Sequence, residues 1–218
     1  MRRREFLGVL GSAAAWPLGA RAQQQTANAT GVNIFTTELV EKRLGLLHDL
    51  VPAATTVAVL SNPNFAAAVA NVRESEAAAR AIGKEVAIFN ASSDAEIETA
   101  FANIVQARPG ALLVLADPFF NSRRGLIVAL AARHAIPAIY EWREFVETGG
   151  LISYGTSLVE AYRQLGIYAG RILKGEKPAD LPVVQLSKFE LVINLNTGKA
   201  LGLVIPPSVL ALANEVIE

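Results

Sequence analysis

Downstream of residue 55 the chain alternates short, uninterrupted apolar runs with longer segments whose apolar positions recur at helical spacing. The runs cover 56–60, 85–89, 111–115 and 138–140, and their starts fall about 27 residues apart, close to the length of one strand–helix–strand unit. Runs that are apolar at consecutive positions need cover on both faces, so the pattern predicts a parallel sheet between two layers of helices. The intervening segments supply those helices. Residues 65–82 are rich in alanine, carry Arg73, Glu74, Glu76 and Arg80 as polar positions, and stop at Gly83, a residue suited to a helix C-cap. Ser93 or Asp94 opens the next helix, in which Ile97, Phe101, Ile104 and Val105 form one stripe before Arg108-Pro109-Gly110 ends it. A third helix spans 122–134 and stops ahead of Pro137, because the residue before a proline disfavours the helical region. Upstream, 38–50 reads as an amphipathic helix closed by Pro52.

The last third breaks this period. After Gly149-Gly150 a strand is expected over 151–154, a helix over 158–173 ending at Gly175, an alternating strand over 189–195, and a turn over 202–207 into a short final helix. One helix and one alternating strand lack obvious partners, so this region is expected to pack on something other than the main sheet.

Composition adds a leader and removes several functions. More than half of the 218 residues are hydrophobic and 18% are charged, enough apolar material for a substantial core. Arg2-Arg3-Arg4, an apolar run over 6–18 and Ala20-Arg21-Ala22 have the three parts of a signal peptide, with cleavage expected after Ala22. Arg3-Arg4-Glu5-Phe6-Leu7 also fits the twin-arginine pattern of folded-protein export. The full chain carries 20 Lys and Arg against 20 Asp and Glu; without residues 1–22, which hold four arginines and Glu5, the counts become 16 and 19. That balance lacks the footprint of nucleic-acid binding. No later apolar run reaches membrane-spanning length, and the chain has no cysteine, so no disulfide is available in an oxidising compartment. The mature chain is expected in the periplasm.

Neither His48 nor His134 has a second histidine or a carboxylate at metal-ligand spacing. The first strand of the repeating pattern runs into Ser61-Asn62-Pro63-Asn64 rather than a glycine-rich phosphate loop, and no Gly-x-Ser-x-Gly elbow occurs. No metal, cofactor or catalytic residue is therefore expected, and an α/β enzyme built on Asp117 with His134 or Tyr140 is the least favoured reading. What the strands do share is a polar and aromatic carboxyl edge: Ser61, Asn62 and Asn64, then Asn90, then Asp117 with Phe119, then Tyr140 with Glu141, and finally Tyr154. Open α/β sheets bind ligands along that edge. Asn62 and Asp117 are equally suited to capping turns or helices ahead of Pro63 and Pro118. Amides, carboxylates and aromatic faces suit a small polar solute such as an amino acid, with Asp117 or Glu141 against its ammonium group and Phe119, Tyr140 or Trp142 against an apolar part.

Five segments taken together resemble one family: Asn28-Ala29-Thr30-Gly31-Val32, Lys42-Arg43-Leu44-Gly45-Leu46-Leu47, Val59-Leu60-Ser61-Asn62-Pro63, Ala116-Asp117-Pro118-Phe119-Phe120 and Gly150-Leu151-Ile152-Ser153-Tyr154-Gly155. Likeness continues through Tyr168-Ala169-Gly170-Arg171-Ile172-Leu173-Lys174-Gly175, Leu181-Pro182-Val183 and Phe189-Glu190-Leu191-Val192-Ile193-Asn194-Leu195. The family is that of ABC-transporter substrate-binding proteins of the tryptophan and tyrosine uptake type. The resemblance implies a type I periplasmic-binding-protein-like α/β fold, with two doubly wound lobes closing on a solute and docking on the membrane subunits of an importer.

On that template the chain crosses between lobes over 28–31 and again over 153–155. Residues 33–152 are then one complete lobe and 156–218 the returning segment of an incomplete other lobe, from which about three strand–helix–strand units are absent. The implied consequence is a half cleft with impaired solute capture. Leu165, Ile172, Leu191 and Ile193 would be left without cover, so a shortened lobe that self-associates through 156–218 is the second reading.

Overall fold

The computed structural model describes residues 31–33, 39–186 and 188–218, with only the backbone course given for 31–33. The expected leader over 1–22 lies outside the described residues, as does the first crossing apart from Gly31.

Two strands show how the core is built. In β2 (Thr56–Ser61) and β4 (Ala111–Val114), Val57, Val59, Ala111 and Leu113 enter one hydrophobic cluster while Ala58, Leu60, Leu112 and Val114 enter another on the opposite face. Alternate residues of one strand thus fill two cores. Each large aliphatic side chain buried in this way contributes roughly 1.5–3 kcal/mol. The first face is covered by α1 (Val40–Leu50), α2 (Ala68–Ala81) and α9 (Pro207–Leu210). The second is covered by α3 (Asp94–Ala107), α4 (Pro118–Ser122), α5 (Arg124–Arg133) and α6 (Arg143–Glu147). The helix expected over 122–134 is α5, and the short α4 precedes it as an element not expected from the sequence, because Asp117 and Pro118 start a helix of their own beyond the end of β4.

With β3 (Glu85–Asn90), β5 (Ala138–Tyr140) and β6 (Ile152–Thr156), these strands form a parallel sheet in the order β3-β2-β4-β5-β6. The winding reverses between β2 and β4, as in doubly wound folds. Two further strands extend the same sheet. β8 (Phe189–Asn194) pairs antiparallel with β6, and β9 (Glu215–Ile217) pairs parallel with β8. Residues 189–194 and 215–217 are therefore members of the main sheet, a correction to the expectation that the last third packs on something else. The physical reason is edge satisfaction: β6 is hydrogen-bonded to β5 on one side only, and β8 pairs its other side while delivering Leu191 and Ile193 to the first core face. Arg143 of α6 clamps the addition by reaching Glu147 at 2.8 Å, Glu190 at 3.6 Å and Glu215 at 2.7 Å.

What stands apart from the main sheet is smaller. It comprises α7 (Leu158–Leu173) and a two-stranded parallel sheet of β1 (Gly31–Asn33) with β7 (Val183–Gln185). The Tyr168 hydroxyl of α7 donates to the Pro182 carbonyl at 2.7 Å. The chain then passes through β8 into α8 (Leu195–Ala200), which Asn194 caps by accepting from the Thr197 amide at 3.0 Å.

Candidate functional site

The sheet order places the carboxyl ends of β3, β2, β4, β5 and β6 side by side, which brings Asn90, Ser61 with Asn62, Asp117, Glu141 and the Gly155–Thr156 pair to one edge. The crevice of such an edge lies where the winding reverses, here between β2 and β4. Asn62 and Asp117 meet across it, with Asn62 Nδ2 donating to Asp117 Oδ2 at 3.0 Å. Both residues also serve their local turns. Asp117 Oδ1 accepts from the Phe120 amide at 2.9 Å and Asn62 Oδ1 from the Asn64 amide at 3.0 Å. The capping role and the rim role coincide, and both Asp117 oxygens are engaged. Ser61 is buried, whereas Asn64 and Asn90 are exposed. Phe119 is half-buried with the Arg123 guanidinium 5.5 Å from its ring centroid, within cation–π range.

Glu141 is different in kind. It follows β5, is 3% exposed, and neither carboxylate oxygen accepts a hydrogen bond from a described residue. Burial pushes its carboxyl up to about 7, with the positive charge of Arg43 acting in the opposite direction. The backbone of Gly155 approaches so closely that a Cβ there would lie 2.1 Å from the Glu141 carbonyl oxygen and 2.9 Å from its Cγ. Arg43, in the first turn of α1, is wholly buried and donates from Nε to the Leu39 carbonyl at 3.2 Å. Desolvation lowers its pKa, and Glu141 offsets part of that effect. On the neighbouring strand, the Ser153 and Thr156 hydroxyls are likewise buried without a partner among the described residues. Buried polar groups are normally hydrogen-bonded, so these groups need partners beyond the described residues.

Other expected rim residues are placed elsewhere. Tyr140 precedes Glu141 on an extended strand and so points to the opposite face. Its ring stacks on Phe145 at 4.6 Å and 13° and lines a cavity of about 390 Å³ with Val128, Ala131, Leu151 and Thr197. That cavity lies towards the amino ends of β5 and β6, away from the crevice. Trp142 belongs to the same second-face core. Tyr154 is half-buried against Phe189, with centroids 6.1 Å apart, in a groove that also contains Lys42 and Lys188. Arg43, Gly155 and Thr156 were not singled out from sequence. Arg43 did leave a signal, because it falls in register with Val40, Leu44, Leu47 and Leu50 on the apolar stripe of α1, where a charge must find compensation.

Comparison with known proteins extends these findings. A sequence profile of the family described as ABC transporter substrate binding protein matches residues 8–217. A curated tyrosine-binding protein of Clostridioides difficile is 27% identical over 180 residues, covering 81% of this chain and 50% of that relative. A conserved domain protein from Vibrio cholerae superposes with a TM-score of 0.77 at 26% identity, covering 86% of this chain and 62% of the other. An ABC domain from Streptococcus pneumoniae in complex with L-Trp gives 0.75 at 28% identity, covering 86% and 64%. The chain thus spans half the length of the curated relative and less than two thirds of either solved chain.

Proposed function

We propose that this chain, which belongs to the family of ABC transporter substrate-binding proteins, captures an amino acid at the carboxyl edge of its sheet for delivery to the membrane subunits of an importer. The family's type I periplasmic-binding-protein-like fold is present in part. The observation that carries the proposal is Glu141: a buried carboxylate at the rim whose two oxygens have no donor among the described residues. An ammonium group brings three donors and a compensating charge. Asp117 is less suited to that role because its oxygens already hold Asn62 and the Phe120 amide. Phe119, half-buried, offers an aromatic face. The tyrosine and L-Trp of the relatives favour an aromatic amino acid. Members of this family act outside the cytoplasm, and the leader read over 1–22 supplies the route.

Titration calorimetry tests the anchor. L-Tryptophan and tryptamine, which both carry the ammonium group, are expected to bind, and indole-3-propionate, which lacks it, is not. Equal affinity for the deaminated compound would remove Glu141 from the site.

Self-association is a second reading, favoured by the apolar surface of α7 and β7. Tyr162 is 68% exposed, Leu173 88% and Val183 54%, beside a sheet that has two strands among the described residues, and a sheet of two strands has little stability alone. A second copy of the chain would cover both. The sedimentation coefficient should then rise with concentration, and Leu173→Glu with Tyr162→Glu should restore the monomer. Concentration-independent sedimentation of the parent chain would end this reading.

A further inference from the structure

We infer that the cavity at the amino ends of β5 and β6 is a second small-molecule site, built for an uncharged aromatic molecule that carries one hydrogen-bonding atom. The inference depends neither on Glu141 nor on the crevice. At about 390 Å³ the cavity falls within the range of small-molecule sites, about 300–1,000 Å³. Val128 and Ala131 of α5 supply one wall, Thr197 of α8 with Leu201 another, and Tyr140 of β5 a third. Ala132 and Ala200, which also line it, are exposed and mark its mouth.

Tyr140 gives the cavity its chemistry. The residue is 1% exposed, and its hydroxyl makes no hydrogen bond to a described residue. The ring is stacked on Phe145 and leans toward Gly150, where an added Cβ would lie 2.7 Å from Cε2. Cε2 adjoins the ring carbon that bears the hydroxyl, so the phenol head stands beside a glycine of the cavity lining. Burial raises the pKa of the phenol, which therefore stays protonated at neutral pH and can donate or accept. Other polar groups of the wall are committed within the fold. The Thr197 hydroxyl donates to the Gly149 carbonyl at 2.9 Å, and Asn194 Oδ1 accepts from the Thr197 amide at 3.0 Å. Among the described residues no acidic or basic side chain lines the cavity, so an ionised guest would be desolvated without a counter-charge. A neutral aromatic ring would instead bury its faces against aliphatic side chains and bring one polar atom to the Tyr140 hydroxyl. A buried hydroxyl without a partner is costly, and that contact removes the cost.

The probe is 2-naphthol, which is neutral at pH 7 and carries one hydroxyl; naphthalene-2-sulfonate has the same rings with a permanent negative charge. Calorimetry of the full chain should give 2-naphthol a Kd on the order of 0.1 mM and the sulfonate no measurable binding. Ala132→Phe, at an exposed helix position, fills the mouth and should abolish 2-naphthol binding with the urea midpoint unchanged; Ala200→Phe should do the same from the other helix. Tyr140→Phe keeps the ring on Phe145 and should weaken binding about five- to tenfold. Its urea midpoint should not fall, because the lost hydroxyl has no partner among the described residues. Saturating L-tryptophan should leave the 2-naphthol affinity as it is. A parent chain that does not bind 2-naphthol at millimolar concentration overturns the inference, as does binding that survives both mouth substitutions. Displacement by L-tryptophan overturns it by moving the probe to the crevice. A Tyr140→Phe chain of reduced stability and unchanged 2-naphthol affinity overturns it too, by showing that the hydroxyl serves the fold.

Discussion

Glu141→Gln should weaken L-tryptophan binding by roughly 100-fold, the scale of a lost buried charge-assisted contact, and should at the same time stabilise the fold above neutral pH. The two effects share one cause. The Glu141 carboxyl ionises near 7 in the folded chain against an ordinary value of 4.5, so the folded state holds its proton more tightly than the unfolded state does. The stability contributed by the neutral carboxyl is fully present below about 4.5 and is lost as pH rises through about 7. That interval corresponds to roughly 3 kcal/mol. Glutamine imitates the protonated form at every pH. The variant should therefore match the parent chain in urea denaturation at pH 4 and exceed it by about 2–3 kcal/mol at pH 8. Asp117→Ala should behave in the opposite way, losing about 1–2 kcal/mol at both pH values with its helix cap. A Glu141→Gln chain that is less stable at pH 8, or that binds unchanged, would show that the carboxylate is held by groups within the fold.

Gly155→Ala should cost about 3 kcal/mol or more, at the upper end of overpacking effects. The obstacle is backbone, not a flexible side-chain tip: the added methyl would sit 2.1 Å from the Glu141 carbonyl oxygen. Neither neighbour can easily yield. Tyr140 is paired to Ser153 on one side of β6, and Gly155 itself is paired to Glu190 of β8 on the other. Relief therefore requires β5 and β6 to separate, which displaces Glu141 and removes solute binding as well. Gly45, inside α1 with nothing within 4 Å of the place an added methyl would take, provides the contrast; Gly45→Ala should gain roughly 0.5–1 kcal/mol from helix propensity. Urea denaturation of the two variants checks both signs. A Gly155→Ala midpoint near that of the parent chain would mean that the ends of β5 and β6 separate at little cost.

Much of the lobe was legible because its signals are local. An uninterrupted apolar run reports burial on both faces of a strand, and the helices between such runs declare their ends through residues such as Ser93, which accepts from the Glu96 amide at 3.3 Å. The crevice was legible for the same reason. Once successive strands are parallel, their carboxyl ends share an edge, and Asn62 and Asp117 lie within three residues of the ends of β2 and β4. The alternation of 189–195 was also visible, but alternation marks a half-buried strand without naming the sheet it joins.

Three matters belonged to the tertiary structure. The pairing of β8 with β6 depends on which sheet edge is open after the chain has folded, and no property of residues 189–194 encodes that alone. The separation of Tyr140 from Glu141 follows from side-chain parity at the end of a three-residue strand, where a shift of one position exchanges core for rim. The charge state of Glu141 is set by desolvation and by Arg43, almost a hundred positions away in the chain. By itself the sequence determined the layered α/β lobe and the polar edge of its sheet, since hydrophobic periodicity and turn residues act over a few positions. Only the tertiary structure decided which of those polar groups is buried without a partner among the described residues, because burial and electrostatics depend on distance in space.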